Sequence, residues 1–389
     1  MAAAGALTMI VVGAISPAAA LAAISDRWDV FLFFLGLMVI AAIADQSGLL
    51  GRLVVAAARA ARGRRDLLLI QLAIVAVIVT VTLSNDATVL VLTPLVVDMA
   101  TRLRVPILPY AYACAYLANT ASLAFPISNP ANILVLHGAP LSATAFLEML
   151  ALPALGASVA TIVFLLVAHR RELRGSIELS VAADANGDAG LVAIGIGLIV
   201  VAYLVALESS WPVGVVAAVG AASLILLRLA RGRLDTARLR EDVEWGIFPL
   251  LAGLIVVVAA AQSAGLASVV ADALRGAAGL GAGGVALIGL GSAALANAMN
   301  NLPWALLASA ALPVAGVADG RVEGAVLIGI DVGPNFSTVG SLATLLWLLI
   351  LRRRGVGISS LDYVRESWIP SGLALAAALV LLVLSAPRT

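Results

Sequence analysis

Four groups of polar residues lie inside otherwise apolar stretches of this 389-residue chain. They are Ser84-Asn85-Asp86-Ala87-Thr88, Asn119-Thr120 running to Ser128-Asn129-Pro130-Ala131-Asn132, Asn297 to Asn301, and Asp331 through Asn335, Thr338, Gly340 and Ser341. Amides and hydroxyls dominate them, so they offer both donors and acceptors, with carboxyls only at Asp86 and Asp331. Prolines at 94, 126, 130, 303 and 334 break the helical backbone beside these groups. Freed amides and carbonyls persist in a membrane only where they face a polar cavity walled by protein. The physical reading is one site in which two hairpin tips meet two unwound helices.

The bland alternative is that these asparagines and threonines hydrogen-bond between helices, each bond being worth about 0.6 kcal/mol in a membrane protein. Four clusters at repeat-related positions favour a site. The intramembrane acids Asp86 and Asp331 are candidates for carrying a proton or pairing with a cation. Asp45, near the end of its apolar run, reads equally as a third such acid or as an interfacial helix-end residue. His137 is placed at the outer interface, and Cys114, the single cysteine, reads as packing. One cysteine excludes a disulfide framework and any CxxC metal site, and no metal or cofactor is expected. No lysine is present, which removes a conventional P-loop. HExxH and GxSxG are also absent, so the chain lacks the usual local signatures of a hydrolase.

The elements that must position these residues are membrane helices. The chain is 62% hydrophobic and 12% charged with a mean hydropathy of +1.11, whereas soluble domains are about half apolar and about a quarter charged. Its apolar runs repeatedly reach the roughly 20 residues that span hydrocarbon. A net charge of +1 gives no reason to invoke nucleic acid. Uncharged runs at Ala3–Ile24, Val30–Ala44, Val105–Leu147, Met149–Val167, Leu191–Leu207, Ser209–Leu227, Trp245–Ala271 and Ser367–Pro387 supply spans. Three further regions, Leu67–Met99, Gly276–Ala318 and Gly324–Leu351, are interrupted by the polar groups. The first run has no basic start and reads as a spanning helix rather than a signal peptide.

All 23 basic residues are arginines. Placing the clusters at 59–65, 102–104, 170–174, 228–240 and 352–365 in the cytoplasm, with Arg52 on a short interfacial helix, leaves only Arg27, Arg275, Arg321 and Arg388 outside. The N-terminus is then cytoplasmic, and the basic loops 170–189 and 228–244 act as topology determinants. Arg65 and Arg102 flank Leu67–Met99 on one side, and about 35 residues are too few for two full crossings, so the segment is a re-entrant hairpin. Gly281–Ala315 is its counterpart entering from outside.

Internal repetition agrees. Trp28-Asp29-Val30-Phe31 with Gln46-Ser47 recurs as Trp245-Gly246-Ile247-Phe248 with Gln262-Ser263, and Asn85 and Ser128-Asn129 correspond to Asn300 and Gly340-Ser341. The expected architecture is an all-α polytopic membrane protein of two inverted repeats, 1–174 and 190–389, joined by a cytoplasmic linker at 175–189. It has about nine or ten transmembrane helices, two re-entrant hairpins and two unwound helices. Inverted repeats with broken helices mark secondary transporters, which hold substrate at the midplane.

Several stretches carry a family resemblance: Asn85-Asp86-Ala87-Thr88 running to Pro94, Thr120-Ala121-Ser122-Leu123 with Ser128-Asn129 and Asn132-Ile133, Met299-Asn300-Asn301-Leu302-Pro303, and Asp331-Val332-Gly333-Pro334 running into Gly340-Ser341 and Trp347. On these the chain resembles the arsenical pump membrane protein family of the ion-transporter superfamily. The resemblance implies export of arsenite or antimonite across the cell inner membrane in exchange for protons, sometimes assisted by a soluble cytoplasmic ATPase. It implies substrate contacts at Asn85, Thr88, Ser128, Asn129, Asn300, Asn301, Thr338, Gly340 and Ser341, and proton coupling at Asp86, Asp331 and Asp45. A neutral trihydroxide needs donors and acceptors but no fixed counter-charge, which suits these residues. The family carries an acid where this chain has Asn119 and a cysteine where it has Ile330. Related branches on the same scaffold carry dicarboxylates with sodium or exchange sodium for protons, and an ATP-driven pump subunit is a third alternative.

Overall fold

The computed structural model describes residues 2–139, 141–177, 188–317 and 319–385. Most of the expected linker, at 178–187, and Arg388 lie outside the described residues. The described chain is helical throughout, and eight helices are long and apolar enough to cross a membrane.

The first repeat begins with α1 (Ala2–Val11) and α2 (Pro17–Ser25), then α3 (Trp28–Gln46) and α4 (Leu49–Ala60). The expected single span over Ala3–Ile24 is thus two short helices. Ser16 accepts from the Ala19 amide and Pro17 opens α2, so a new helix starts where the run was read as continuous. Next come α5 (Arg65–Thr82), α6 (Asn85–Ala87) leading through a wide π turn at Thr88–Leu92 into α7 (Thr93–Arg102), α8 (Leu108–Thr120), α9 (Pro130–Gly138) and α10 (Ala143–Ala168). Then α11 (Ala189–Glu208), α12 (Val213–Ala230) and α13 (Thr236–Asp242) open the second repeat. That repeat holds α14 (Ile247–Ser263), α15 (Leu266–Ala278), α16 (Ala282–Met299), α17 (Asn301–Ala315), α18 (Gly320–Asp331), α19 (Leu342–Arg353) and α20 (Ser360–Ser385).

The repeats match element by element. In each, a tryptophan-led span (α3, α14) ends in Gln-Ser followed by a glycine, at once in Gln46-Ser47-Gly48 and after one alanine in Gln262-Ser263-Ala264-Gly265. Gly48 (φ 75°) and Gly265 (φ 88°) take the left-handed conformation that lets the chain turn at once into the amphipathic helices α4 and α15. The hairpins α5–α7 and α16–α17 follow, then the broken pairs α8–α9 and α18–α19, then the long closing helices α10 and α20. The two halves also exchange helices, for α1 packs along α14 and α12 along α3.

Local chemistry sets the breaks. Phe125 and Asn129, each followed by proline, are extended (φ −149°, ψ 140° and φ −140°, ψ 125°), as the proline ring requires of its predecessor. The π turn sits just ahead of Pro94, whose missing N–H and ring displace the regular ladder. In the second repeat Gly333-Pro334 begins a short 3-10 turn, and the chain is extended at Ser337 and Ser341 before α19.

Small residues allow the hairpins to seat. A Cβ at Gly138, the end of α9, would lie 1.7 Å from the Ser309 carbonyl oxygen of α17. Gly138→Ala is expected to force the two helices apart at a cost of about 1–3 kcal/mol, read as a lower melting temperature of the detergent-solubilised protein. An unchanged melting temperature would refute the close crossing.

Candidate functional site

The four helix starts after the breaks converge. Ser84, extended at φ 172°, caps the first hairpin's return arm by accepting from the Ala87 amide at 3.0 Å. Asn129 caps α9 by accepting from the Ala131 amide at 3.0 Å, and Ser341 caps α19 by accepting from the Thr344 amide at 3.1 Å. Asn300 holds a strained positive-φ conformation (φ 76°, ψ 152°) that glycine would favour, and its side-chain oxygen accepts from the Leu302 amide at 3.3 Å. Each hairpin tip is tied to the unwound segment of its own repeat. Ser128 donates to the Val81 carbonyl at 3.3 Å, Asn300 donates to the Val339 carbonyl at 2.9 Å, and the Asn301 amide donates to the Gly340 carbonyl at 2.9 Å.

The two unwound segments are then joined to each other. Asn129 donates from Nδ2 to Asp331 Oδ1 at 2.6 Å, and Asn132 and Ser122 face the same carboxyl. Asn119 donates from Nδ2 to Asn335 Oδ1 at 2.8 Å and to Thr344 Oγ1 at 3.3 Å, and Ser341 and Thr344 share a hydrogen bond at 3.1 Å. These two arrangements are the same interaction seen from opposite repeats. Asn119, Asn129 and Asn132 correspond to Asp331, Ser341 and Thr344 at one offset of 212 residues (331 − 119, 341 − 129 and 344 − 132). The inner end of α18 is thus held through a carboxyl by the Asn129 cap of the opposite repeat, and the inner end of α8 through an amide by Thr344, which in turn bonds to the Ser341 cap.

Asn85, Asp86, Asn129, Asn301 and Ser341 line one recess, walled by Phe34, Ile247 and Leu342. The same three apolar side chains and Asp86 also line a cavity of about 570 Å³ that opens toward the arginine-rich face. Asp45, Glu241, Asp242 and Glu244 stand around that vestibule, with Arg238 and Arg354 as its cations. Arg238, on α13, donates to Asp45 at 2.5 Å, and Arg354 pairs with Asp98. A second cavity of about 420 Å³ lies near His137, Trp28 and Trp211, and shares no lining residue with the recess.

Of the residues singled out from sequence, five meet in the recess and the others stand around it. Asp331 is fully buried one side chain behind it, reached through Asn129. Thr88 lies inside the first hairpin, bonded to Thr80 at 2.7 Å, and Ser128 and Asn300 spend their polar atoms on tying the hairpins. Thr338 is buried, and Gly340 is a packing position, since a Cβ there would meet the Pro334 oxygen at 2.6 Å. Asp45 belongs to the vestibule. Sequence reading put Asn119 and Asn132 in a polar group of the site but gave them no contact, and left Thr344 out, although the 212-residue offset that linked Ser128-Asn129 to Gly340-Ser341 would have reached all three. It also treated 228–244 as a topology determinant, while Arg238, Glu241, Asp242 and Glu244 line the vestibule.

The family model described as citrate transporter (CitMHS) matches residues 1–333. The chain belongs to the CitMHS citrate transporter family. Among its relatives, an arsenical pump membrane protein of Escherichia coli is 29% identical over 347 residues, covering 85% of this chain and 80% of that protein. An uncharacterized transporter of Mycobacterium tuberculosis is 28% identical over 380 residues, covering 91% and 85%. The Alcanivorax borkumensis YdaH transporter structure superposes with a TM-score of 0.62 at 16% identity, covering 97% of this chain and 87% of that one. MtrF of Neisseria gonorrhoeae gives 0.61 at 16%, covering 90% and 80%. These two share the fold. This CitMHS-family chain is therefore a multi-pass membrane transporter with the expected resemblance to the arsenical pumps.

The Asn129–Asp331 bond carries a prediction. Asn129→Ala removes the amide that donates to a fully buried carboxyl, and should destabilise the protein by about 1–3 kcal/mol. Asn132→Ala, which removes an amide on the same carboxyl's flank, should cost less in the same thermal melt. The reverse order would show that Asn129 does not hold Asp331.

Proposed function

We propose that the protein exports trivalent arsenic or antimony as the neutral hydroxide, entering from the arginine-rich face, which is cytoplasmic, in exchange for protons. The observation that supports this best is the make-up of the recess. It holds three amides, a hydroxyl and the Asp86 carboxyl, and no cationic side chain. Hydroxyl groups on a trivalent centre both donate and accept, and asparagine and serine answer both roles. The approach is lined by more carboxylates than guanidinium groups, so a polyanion meets unfavourable charge that a neutral solute does not.

Proton exchange would act at Asp86, which faces both the recess and the vestibule, and at Asp331, which bonds to the recess residue Asn129. A carboxyl facing a neutral solute is more readily accommodated once protonated, so loading and unloading of a proton there biases which face the site prefers. Asn129 and Asn301 would orient the solute, while Asn300, Thr88, Ser128, Thr338 and Gly340 hold the surrounding backbone. The two repeats, 1–174 and 190–389, would rock against each other about this point. Energy from a soluble cytoplasmic ATPase would need a docking surface outside the membrane, for which the α13 region at the vestibule mouth is the natural place.

A second reading has its own support. Four helix N-termini meet at the recess, and their amides favour negative charge. An organic anion carried with sodium or protons is therefore the competing substrate class.

Everted membrane vesicles separate the two. Arsenite uptake that is abolished by an uncoupler, needs neither sodium nor ATP, and is lost in the Asp86→Asn/Asp331→Asn double variant is the expected result. Citrate or dicarboxylate uptake without arsenite uptake would replace this substrate with the second class, and full uptake by the double variant would overturn the coupling assignment.

A further inference from the structure

Beside the vestibule, a second line of buried polar groups runs from the site to the arginine-rich face. It starts at Asn119, whose Nδ2 is engaged by Asn335 and Thr344 but whose Oδ1 has no protein partner. One turn earlier on α8 is Tyr116, and another turn earlier Tyr112, their rings stacked with centroids 5.3 Å apart. Tyr363 of α20 packs on Tyr116 at 5.8 Å and faces Thr344. His169, at the end of α10, stacks on Tyr112 at 6.2 Å. His169 Nδ1 meets Glu172 Oε1 at 3.2 Å, and the Glu172 side chain is 46% exposed.

Tyr116 Oη and His169 Nε2, like Asn119 Oδ1, are buried and lack any protein hydrogen-bond partner, and Tyr363 Oη, buried beside them, has only Thr344 within reach and no partner at full hydrogen-bond geometry. Tyr363 is fully buried and Tyr116 and His169 are 2% and 9% exposed. The neighbouring Trp347 is fully satisfied, its indole N–H donating to the Ala111 carbonyl at 2.9 Å. Tyr203 also has an unpartnered hydroxyl, but it stands apart against Phe33. Buried polar atoms are almost always satisfied, and where protein does not do so, ordered water does. Such atoms in one run of contacting side chains are the places where bound water would complete the hydrogen bonding.

We propose that Tyr116, Tyr363 and His169 line a hydrated proton conduit joining the Asn119–Thr344 end of the site to the arginine-rich face, separate from the substrate vestibule. Each tyrosine hydroxyl accepts a proton from the water on its site side as it gives its own to the water on the other, so no ring ends charged. His169 takes the proton at Nε2 and releases one from Nδ1 to Glu172, which passes it to solvent. Glu366 and Asp362 of α20, which also face Tyr112, and Glu366, which faces Tyr116, add negative potential that favours a proton in transit. Separate routes let a proton leave while a neutral solute occupies the vestibule. The conduit deepens the proton-coupled reading above and rests on it.

Two measurements test it. X-ray radiolytic labelling of the full-length protein, which generates hydroxyl radicals from bound water, should oxidise Tyr116 and Tyr363 several-fold faster than Tyr110. Tyr110 is equally buried but donates its hydroxyl to the Arg65 carbonyl at 3.2 Å. Labelling no faster than Tyr110 would overturn the conduit whatever the substrate is. In everted vesicles the Tyr116→Phe/Tyr363→Phe double variant should lose most uptake driven by a proton gradient, yet keep arsenite–arsenite exchange without a gradient. Equal loss of both would mean a structural role, and no loss would mean that protons travel elsewhere; either result refutes the proposal. Wild-type vesicles that take up no arsenite would instead sink the substrate reading, and the labelling would still decide the conduit.

Discussion

Chain that leaves the helical path inside hydrocarbon must find its hydrogen-bond partners in protein; here the freed backbone is tied within each repeat, and each repeat supplies partners to the other's polar side chains. The inner end of α18 carries Asp331, held by the Asn129 cap of α9 at 2.6 Å, and the inner end of α8 carries Asn119, held by Asn335 and Thr344. Neither broken pair could exist alone in the membrane, because its unwound segment would expose unpaired polar groups. The recess is the place where this mutual satisfaction leaves side chains to spare. Asn85, Asn301 and Ser341 reach it because the hairpin tips are tied to the unwound segments by Ser128, Asn300 and the Asn301 amide.

The equivalence of the two halves is geometric, while their chemistry differs. Asn119 and Asp331 occupy corresponding positions, yet one is an amide and the other an acid. A symmetric pair of carboxyls would place two like charges around one site, whereas the amide bonds to Asn335 and Thr344 without any titrating group. The protein therefore has one acid at this level of the symmetric scaffold, with Asp86 on the other side of the recess. The exchange of helices, α1 onto α14 and α12 onto α3, makes the halves depend on one another along their outer faces as well.

The vestibule is built on the same economy of charge. The end of α3 and the short α13 meet through Asp45 and Arg238, and Gln46 donates to the Asp235 carbonyl at 3.4 Å. Close by, the buried pair Arg228–Asp188 at 2.8 Å fixes the foot of α12 to the start of α11, and Arg228 also donates to the Gln46 and Arg233 carbonyls. A buried ion pair adds little net stability but fixes geometry, since leaving either partner alone is costly. Here it holds the element that carries the vestibule's acids at the mouth.

The sequence by itself determined the membrane class, the re-entrant hairpins, the broken helices and the inverted relation of the repeats. Those follow from run length, from proline and glycine inside apolar runs, and from arginine placement, all of which act locally or along one dimension. Sequence also placed Asn85, Asp86, Asn129, Asn301 and Ser341 near one another, because a polar side chain in a broken apolar segment has few other places to go. Three things were decided only by tertiary structure. The first apolar run is split at Ser16-Pro17, where capping overrides hydropathy. Thr88, Ser128 and Asn300 turn their polar atoms to the scaffold rather than the recess, because local carbonyls and hydroxyls lie nearer than any solute. Residues 235–244, legible only as a charged loop, become the wall of the vestibule because α13 folds back on the end of α3. Spacing along a chain fixes which groups must leave the lipid; only packing fixes which of them have a partner left to find.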